Sequence, residues 1–279
     1  MASSSLLSAK PFLVEVFERV CIGQCISNFS STKKFRCFQP QSILKYHGFC
    51  DDFGPMNFAN VAGFIELLDK ELRTYPASKI VYSVDAGRRA MTNAVFLLGA
   101  YMILKREMTT EAIVSSFHWI DEASTETFRD ATFSPADFGL TLEDCWRGLE
   151  LGRASGWVHL PKTQGSAQWG EIDVGEYAHW DDPLNGDFHV VVPKRFIAFR
   201  GPEDLPSRAA FSDDGGHRRF SPAYYADIFH ELGVTDVIRL NEPRYDGGAF
   251  ASRGIAHHDL RFDDCTANQR STCLNLTPA

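Results

Sequence analysis

The spacing of hydrophobic and polar residues predicts strands that alternate with helices along most of the chain. Residues 13–50 alternate loosely between apolar and polar positions, which indicates strands and loops. Asn57 predicts the N-cap of a helix running to about Thr74, because the apolar residues that follow recur on one helical face. An apolar run at 80–84, rich in β-branched residues, predicts a buried strand, and residues 93–104 after it have helical spacing.

Capping residues predict two further helices in the first half of the chain. Thr109 predicts a short helix that reaches Phe117. Thr141 is followed three residues later by Asp144, the pattern of a capping box, so a helix is expected from there to about Gly156. The segment after it, PKTQGSAQWG (161–170), is typical of a loop.

The alternation starts again near Asp187. The segment HVVVPKRFIAF predicts strands interrupted by a proline, and Ser221 before another proline predicts a helix that Gly233 stops. Two more buried strands are expected in the segments VTDVIRL (234–240) and GIAHHDLRF (254–262). Strands that alternate with helices are typical of a mostly parallel α/β sheet, so the sequence predicts an α/β protein.

Length and composition predict a globular chain of about two domains. The chain has 279 residues, 44% of them hydrophobic and 23% charged, which is enough to bury a core, and no apolar run approaches the roughly 18 residues that cross a membrane. Seven scattered cysteines predict reduced thiols in an intracellular protein. The expected organisation is a disordered N-terminus (1–12), a first domain (13–160), a loop and linker (161–186) and a second unit (187–279).

Charge is distributed unevenly along the chain. The net charge is −8, yet residues 1–50 carry six Lys/Arg against two Glu, while residues 121–187 carry fourteen Asp/Glu against four Lys/Arg. The acidic segment argues against nucleic acid as a ligand. It fits either a basic peptide partner or an ordinary solvated face.

The segment IVYSVDAGRRA (80–90) combines a predicted strand, a basic loop and the start of a helix. Backbone N–H groups and the helix dipole converge at such a point and favour an anion. Ser83 and Arg89 form the pattern S-x5-R, whereas cysteine-dependent phosphatases use C-x5-R in this context. A serine hydroxyl has too high a pKa to ionise there as a thiol does, and no histidine precedes it. Three interpretations stay open: a catalytic loop, an anion-binding loop, or a structural turn.

Other candidate groups are isolated. None of the cysteines (21, 25, 37, 50, 145, 265 and 273) has an arginine six positions later, and their spacing does not favour zinc. His257 and Asp259 share one face of a predicted strand, where packing or hydrogen bonding is expected rather than metal binding. Asp264 follows that strand and is either a general acid or a surface-loop residue.

Several segments together resemble the cell-division-cycle-fourteen type of dual-specificity phosphatase over roughly residues 13–268. They are DDFGPMN, NAVFLLGAYMIL, FRDATF, LTLEDCWRGLELG, EYAHW, NGDFHVVVPKRFIAFRGP and VIRLNEPRY through HHDLRFDD. The resemblance implies a phosphatase-like, parallel-rich sheet flanked by helices, then a linker helix and an incomplete second domain of the same type. It implies hydrolysis of phosphoserine-proline and phosphotyrosine sites through a cysteinyl-phosphate intermediate, with no metal and no organic cofactor.

The resemblance also assigns roles to single residues. Asp264 falls on the general acid, and Ser83 and Arg89 fall on the relic phosphate loop of a first domain that lacks a nucleophile. In the linker, Asp181 falls on an acidic groove that reads a basic residue after the phosphosite, with Glu176 and Asp182 nearby. Ala178, Cys265 and Asn268 replace a glutamate, a glycine and a proline of the family pattern.

The family's HC-x5-R motif is absent from these 279 residues. Two hypotheses follow. In the first, the protein is a phosphatase of which this chain is a truncated form, inactive as given. In the second, it is a pseudophosphatase that binds phosphopeptides or a partner without hydrolysis. The resemblance implies phosphorylated protein partners, no nucleic acid and no membrane, and a nuclear, cytoplasmic or centrosomal setting.

Overall fold

The computed structural model describes residues 12–262, except for residues 25, 27–29, 49, 122, 134, 137–138, 207–208 and 215–216. Asp264, Cys265 and Asn268, and nearly all of the N-terminal segment predicted to be disordered, therefore lie outside the described residues. The chain divides into two compact units between Val174 and Gly175, a point inside the predicted linker.

The first unit is built on a four-stranded sheet. Its elements are β1 (Phe12–Phe17), β2 (Val20–Gln24), β3 (Phe35–Phe38), α1 (Phe58–Thr74), β4 (Lys79–Val84), α2 (Arg88–Arg106), α3 (Thr110–Ser116), β5 (Phe128–Arg129), β6 (Gly139–Leu140), α4 (Leu142–Ala154), β7 (Gln168–Trp169) and β8 (Ile172–Asp173). The strand order is β1-β2-β4-β3. β4 is parallel to both of its neighbours, whereas β1 and β2 form an antiparallel hairpin. The predicted α/β class is confirmed.

Helix α2 forms the centre of this unit, with residues Met91, Thr92 and 94–104 all buried. Helix α4 packs against α2 closely enough to require a glycine. A Cβ added at Gly99 would lie 2.2 Å from Nε1 of Trp146, whose indole donates to the Phe96 carbonyl at 3.2 Å. The buried tryptophan thus fixes how the two helices meet.

The helix starts predicted from capping residues are confirmed. Asn57 accepts a hydrogen bond from the Asn60 amide at 2.9 Å, and Thr141 and Asp144 form the reciprocal capping box. In contrast, the predicted loop 161–170 is wrong at its end, because β7 pairs with β8 there. The cause is burial: Trp169 is 1% exposed and packs edge-on against Phe58.

The second unit joins two hairpins to one parallel strand pair. Its elements are α5 (Val174–Asp181), β9 (Phe188–Val192), β10 (Phe196–Phe199), β11 (Phe211–Asp214), β12 (His217–Phe220), α6 (Pro222–Glu231), β13 (Asp236–Arg239), α7 (Gly248–Ala251) and β14 (Ala256–Asp259). β9 pairs with β10, and β11 with β12, in antiparallel fashion, because connections this short cannot cross over to a parallel neighbour. β13 and β14 are parallel, with α7 between them in sequence.

An aromatic core holds the second unit together. Phe188, Tyr225, Phe229 and Phe250 are each at most 2% exposed. Phe229 packs edge-on against Phe188 at 5.5 Å and stacks with Phe250 at 6.4 Å between ring centroids. Helix α6 begins, as predicted, at the Ser221 cap and ends before Gly233, whose φ is +73°. None of the helices within the described ranges is both long and apolar enough to cross a bilayer.

Candidate functional site

The S-x5-R loop, residues 83–89, lies at the carboxyl end of β4. Ser83 belongs to the strand itself and is 7% exposed. Gln24, at the end of β2, donates from Nε2 to the carbonyls of Asp85 (2.8 Å) and Gly87 (2.9 Å), where Gly87 has φ +113°. Gln41 donates to the Ser83 carbonyl at 2.8 Å. Side chains from neighbouring segments therefore hold the loop backbone in place.

Arg89 is engaged by two carboxylates. Its Nε lies 2.6 Å from Glu126 Oε1, and its Nη1 lies 3.0 Å from Asp51 Oδ1. The guanidinium also lies over the Phe53 ring, 5.3 Å from the centroid. The hydrogen bonds to Glu126 and Asp51 raise the pKa of Arg89 above its ordinary value. Asp51 is shared with Arg129 at 3.1 Å. The arginine that the pattern singled out thus faces two negative groups that would repel a phosphate.

Ser83 has no base to activate it among the described side chains. Its hydroxyl contacts Cys37, whose thiol pKa is raised by burial and lowered less strongly by this hydrogen bond. The structure therefore separates the two residues of the S-x5-R pattern. Ser83 is enclosed in the sheet, while Arg89 turns to the carboxylates.

The predicted acidic group lies in and after α5. Asp181 Oδ1 is 3.4 Å from His189 Nδ1, and Asp182 accepts from the Leu184 amide at 2.8 Å. Glu176 lies in the first turn, five residues before Asp181, which is roughly 7.5 Å along a helix axis. The structure brings Asp181 and Asp182 near one another and leaves Glu176 at the other end of the helix.

Asp187 joins this acidic group and was missed by the sequence reasoning. Burial raises its pKa, Arg200 opposes that shift, and the charges of Asp181 and Asp182 add to it. Its φ of +52°, uncommon for a non-glycine residue, is a backbone feature that no sequence pattern revealed.

The carboxyl ends of β13 and β14 are fixed by one buried arginine. The Arg239 side chain is 8% exposed and bonds both oxygens of Asp259, at 2.6 and 2.9 Å. It also donates to the Tyr245 carbonyl at 2.7 Å. The Leu260 amide continues the ladder by donating to the Arg239 carbonyl at 2.9 Å. This fixed strand end leads toward Asp264, which is itself outside the described residues.

The predicted hydrogen bonding of His257 and Asp259 is confirmed. His257 Nε2 lies 3.0 Å from the Tyr245 hydroxyl, and burial lowers the pKa of His257. Asp259 is held by Arg239. In the part of the chain that the structure describes, no group of three or more acidic, histidine or cysteine side chains could hold a metal ion.

A crevice of about 240 Å³ opens in the second unit, after the ends of β10 and β13. It is lined by Arg200, Gly201, Pro202, Glu203, Asn241, Glu242, Arg244 and Tyr245, and we refer to it as the strand-end crevice. Ligands of open α/β sheets commonly bind at such strand ends. The sequence reasoning missed it, since its two walls come from segments about forty residues apart.

Comparison with known proteins finds relatives whose similarity extends through both units of the chain. Residues 16–152 match the family described as the N-terminal half of dual specificity protein phosphatases. Dual specificity protein phosphatase CDC14C of Homo sapiens is 32% identical over 253 residues, covering 90% of this chain and 53% of that protein. CDC14A of Homo sapiens is 33% identical over 264 residues, covering 94% and 42%. Tyrosine-protein phosphatase CDC14 of Candida albicans is 29% identical over 260 residues, covering 92% and 44%. The chain spans about half the length of these relatives or less.

Proposed function

The chain belongs to the CDC14-type dual-specificity protein phosphatases, and we propose that it supplies the substrate-binding part of such an enzyme. In this proposal residues 13–160 form a non-catalytic phosphatase-like domain, 161–186 a loop and linker, and 187–279 the start of the catalytic domain. The observation that carries the proposal is the relationship to phosphatases along 90% of the chain, through both compact units.

The proposed reaction is hydrolysis of phosphoserine-proline and phosphotyrosine sites. A cysteine thiolate attacks phosphorus, the P–O bond to the substrate breaks, and Asp264 gives its proton to the leaving oxygen. Water then cleaves the S–P bond and releases inorganic phosphate. No cysteine in these 279 residues is followed by an arginine six positions later, so a polypeptide of these residues is proposed to bind substrate without turning it over.

Substrate recognition is assigned to the acidic group around α5. Asp181, Asp182 and Glu176 would attract a basic residue after the phosphosite, and Asp187 adds a fourth carboxylate close to Asp181 and Asp182. The S-x5-R loop is proposed to be a relic with a structural role, since Arg89 is already bound by Glu126 and Asp51. A nuclear, cytoplasmic or centrosomal setting is part of the same proposal.

The test compares two polypeptides on one phosphoserine-proline peptide with a downstream lysine. The 279-residue chain should release no phosphate. A longer product of the same gene containing HC-x5-R should hydrolyse the peptide, and its cysteine-to-serine variant should not. Asp264→Asn in that longer product should lower kcat by roughly 10²- to 10⁴-fold, the usual contribution of a general acid. Phosphate release by the 279-residue chain itself would contradict the assignment.

A second candidate function is a pseudophosphatase that docks phosphopeptides or another partner. The acidic group around α5 favours it, because carboxylates such as Asp181, Asp182 and Asp187 attract a basic peptide without any nucleophile. In that case no product of the gene would show turnover, and the acidic group would still select a basic peptide. Replacing the downstream lysine by glutamate should then weaken peptide binding, whereas Asp264→Asn should have no effect.

A further inference from the structure

The strand-end crevice is smaller than a typical ligand pocket. Its volume of about 240 Å³ is below the roughly 300–1,000 Å³ of pockets that take drug-sized ligands. Residues 200–203 form one wall and residues 241–245 the other. Tyr245, in the second wall, is 7% exposed and packs edge-on against Phe250 of the core at 5.9 Å between ring centroids.

Two arginines are among the lining residues of this crevice, and the guanidinium of each has donors to spare. Arg244 is exposed; its backbone carbonyl accepts from the Asp204 amide at 3.3 Å, but its guanidinium takes part in no hydrogen bond or ion pair with a described residue. Arg200 donates to the Arg218 carbonyl at 3.3 Å and reaches Asp187 only at 3.9 Å. A guanidinium carries five N–H donors in a planar fork, so each arginine can still bind an oxyanion.

The carboxylates of the crevice, in contrast, are already paired with cations that are not part of its lining. Glu242 lies 2.6 Å from Arg261, and Glu203 lies 3.4 Å from Arg219. On the adjoining loop, Asp204 accepts from the Asp246 amide at 3.1 Å. Their negative charge is therefore partly compensated from outside, while the positive charge of Arg244 is not.

Gly201 lets the two walls come together. A Cβ at this position would lie 3.2 Å from Asn241 Nδ2, closer than side chains normally approach. The glycine thus leaves the Asn241 carboxamide, a neutral donor, facing the opposite wall.

We propose that the strand-end crevice binds the phosphate of a phosphomonoester, with Arg200 and Arg244 as charged donors and Asn241 as a neutral donor. The same chemistry would take inorganic phosphate or a phosphorylated side chain. The inference concerns binding alone, and it stands whether or not a longer form of the protein hydrolyses its ligand.

The experiment titrates the full 279-residue chain with inorganic phosphate and follows binding by calorimetry and by the amide resonances of Gly201 and Asn241. Arg244→Gln should weaken phosphate binding at least tenfold. Gly201→Ala, which adds only a methyl group in the crevice, should weaken it several-fold. Glu242→Gln should tighten it, because it removes a negative charge and frees Arg261. A purely structural role of these residues would not give an increase.

Arg253→Gln is the matched control, since Arg253 is a surface arginine of the same unit, paired with Asp227 at 2.7 Å and absent from the crevice. It should leave the affinity unchanged. Equal losses in Arg244→Gln and Arg253→Gln would overturn the proposal, because they would indicate nonspecific attraction.

A second titration separates the two possible ligand sources. A phosphoserine-proline peptide that binds more tightly than phosphate, and that phosphate displaces, would identify a phosphorylated side chain as the ligand in this crevice. Equal affinities for peptide and phosphate would identify the phosphate group alone. Binding of the unphosphorylated peptide with the same affinity, or no shift at Gly201 and Asn241 with either ligand, would overturn the proposal.

Discussion

The S-x5-R loop of the first unit and the strand-end crevice of the second both lie at strand ends, but their arginines have different partners. Each lies at the carboxyl end of a strand in a parallel pair, and each presents arginine side chains. In the loop, Arg89 is bound by Glu126 and Asp51. In the crevice, the Arg244 guanidinium has no partner among the described residues, and the neighbouring acids are bound by other cations.

The difference shows that the partners of an arginine, rather than its place in a motif, decide whether it can bind an anion. A guanidinium already hydrogen-bonded to carboxylates gains little from a phosphate, which would have to displace them or approach beside them. The S-x5-R motif, although conspicuous in the sequence, is therefore less available to an anion than the strand-end crevice.

Arg239 is an arginine with a purely structural role, because its buried guanidinium is bonded to Asp259 and to the Tyr245 carbonyl. Arg239→Met should destabilise β13 and β14 by about 2–3 kcal/mol, because it removes a buried guanidinium that makes a bidentate pair with the more exposed Asp259, and it leaves the Tyr245 carbonyl without that donor. Hydrogen exchange of the β13 amides in the full chain measures the change. The control is Arg261→Met, whose pair with Glu242 is exposed on both sides and should cost less than about 1 kcal/mol.

Arg89 and Arg244 should respond in opposite ways to the same substitution. Arg89→Met should destabilise the first unit by about 1–2 kcal/mol, since charged hydrogen bonds are lost at a half-exposed site, and should leave phosphate affinity unchanged. Arg244→Met should change stability by less than about 0.5 kcal/mol and abolish the crevice's affinity for phosphate. The measurements are exchange of the α2 amides and phosphate titration. The comparison fails if both variants lose stability equally.

Removing the carboxylates should convert the loop into an anion site. In an Arg244→Gln background, which weakens phosphate binding in the crevice, the pair of changes Asp51→Asn and Glu126→Gln frees the Arg89 guanidinium at the N-terminus of α2. New, weak phosphate binding should appear as shifts of the Gly87 and Arg88 amides. If they do not move, the loop backbone, rather than the carboxylates, prevents binding. Adding Arg89→Gln should abolish any shift.

Mild acid should destabilise the second unit through His257. Burial holds the pKa of His257 below its ordinary 6.5, so the unfolded chain binds this proton first. Its contribution to stability is complete above pH 6.5 and is lost as the pH falls below that value, at no more than about 1.4 kcal/mol per pH unit. Exchange of the β14 amides between pH 7 and 5 measures the loss. His257→Gln should remove this pH dependence, and an unchanged profile in that variant would assign it to another group.

Much of the fold could be predicted because its signals are local. A cap such as Asn57, or the reciprocal pair Thr141 and Asp144, is decided by hydrogen bonds spanning three residues. β4 was predictable from its apolar run, and Ser221 with Gly233 bounded α6. The exception, β7, depends on burial of Trp169 against a residue more than a hundred positions earlier.

The candidate sites show the same distinction between local signals and long-range contacts. The sequence alone places Ser83 and Arg89 in one loop and Asp181 and Asp182 in an acidic segment, because these are short-range relations. The folded arrangement, in contrast, sets the contacts of Arg89 with Glu126 and Asp51, thirty-seven and thirty-eight residues away, and brings together the two distant segments that enclose the crevice. The physical reason is that ion pairing depends on which strand ends and loops the sheet brings together. In the sequence, a charged side chain looks the same whether its partner is a carboxylate of its own chain, a ligand or water.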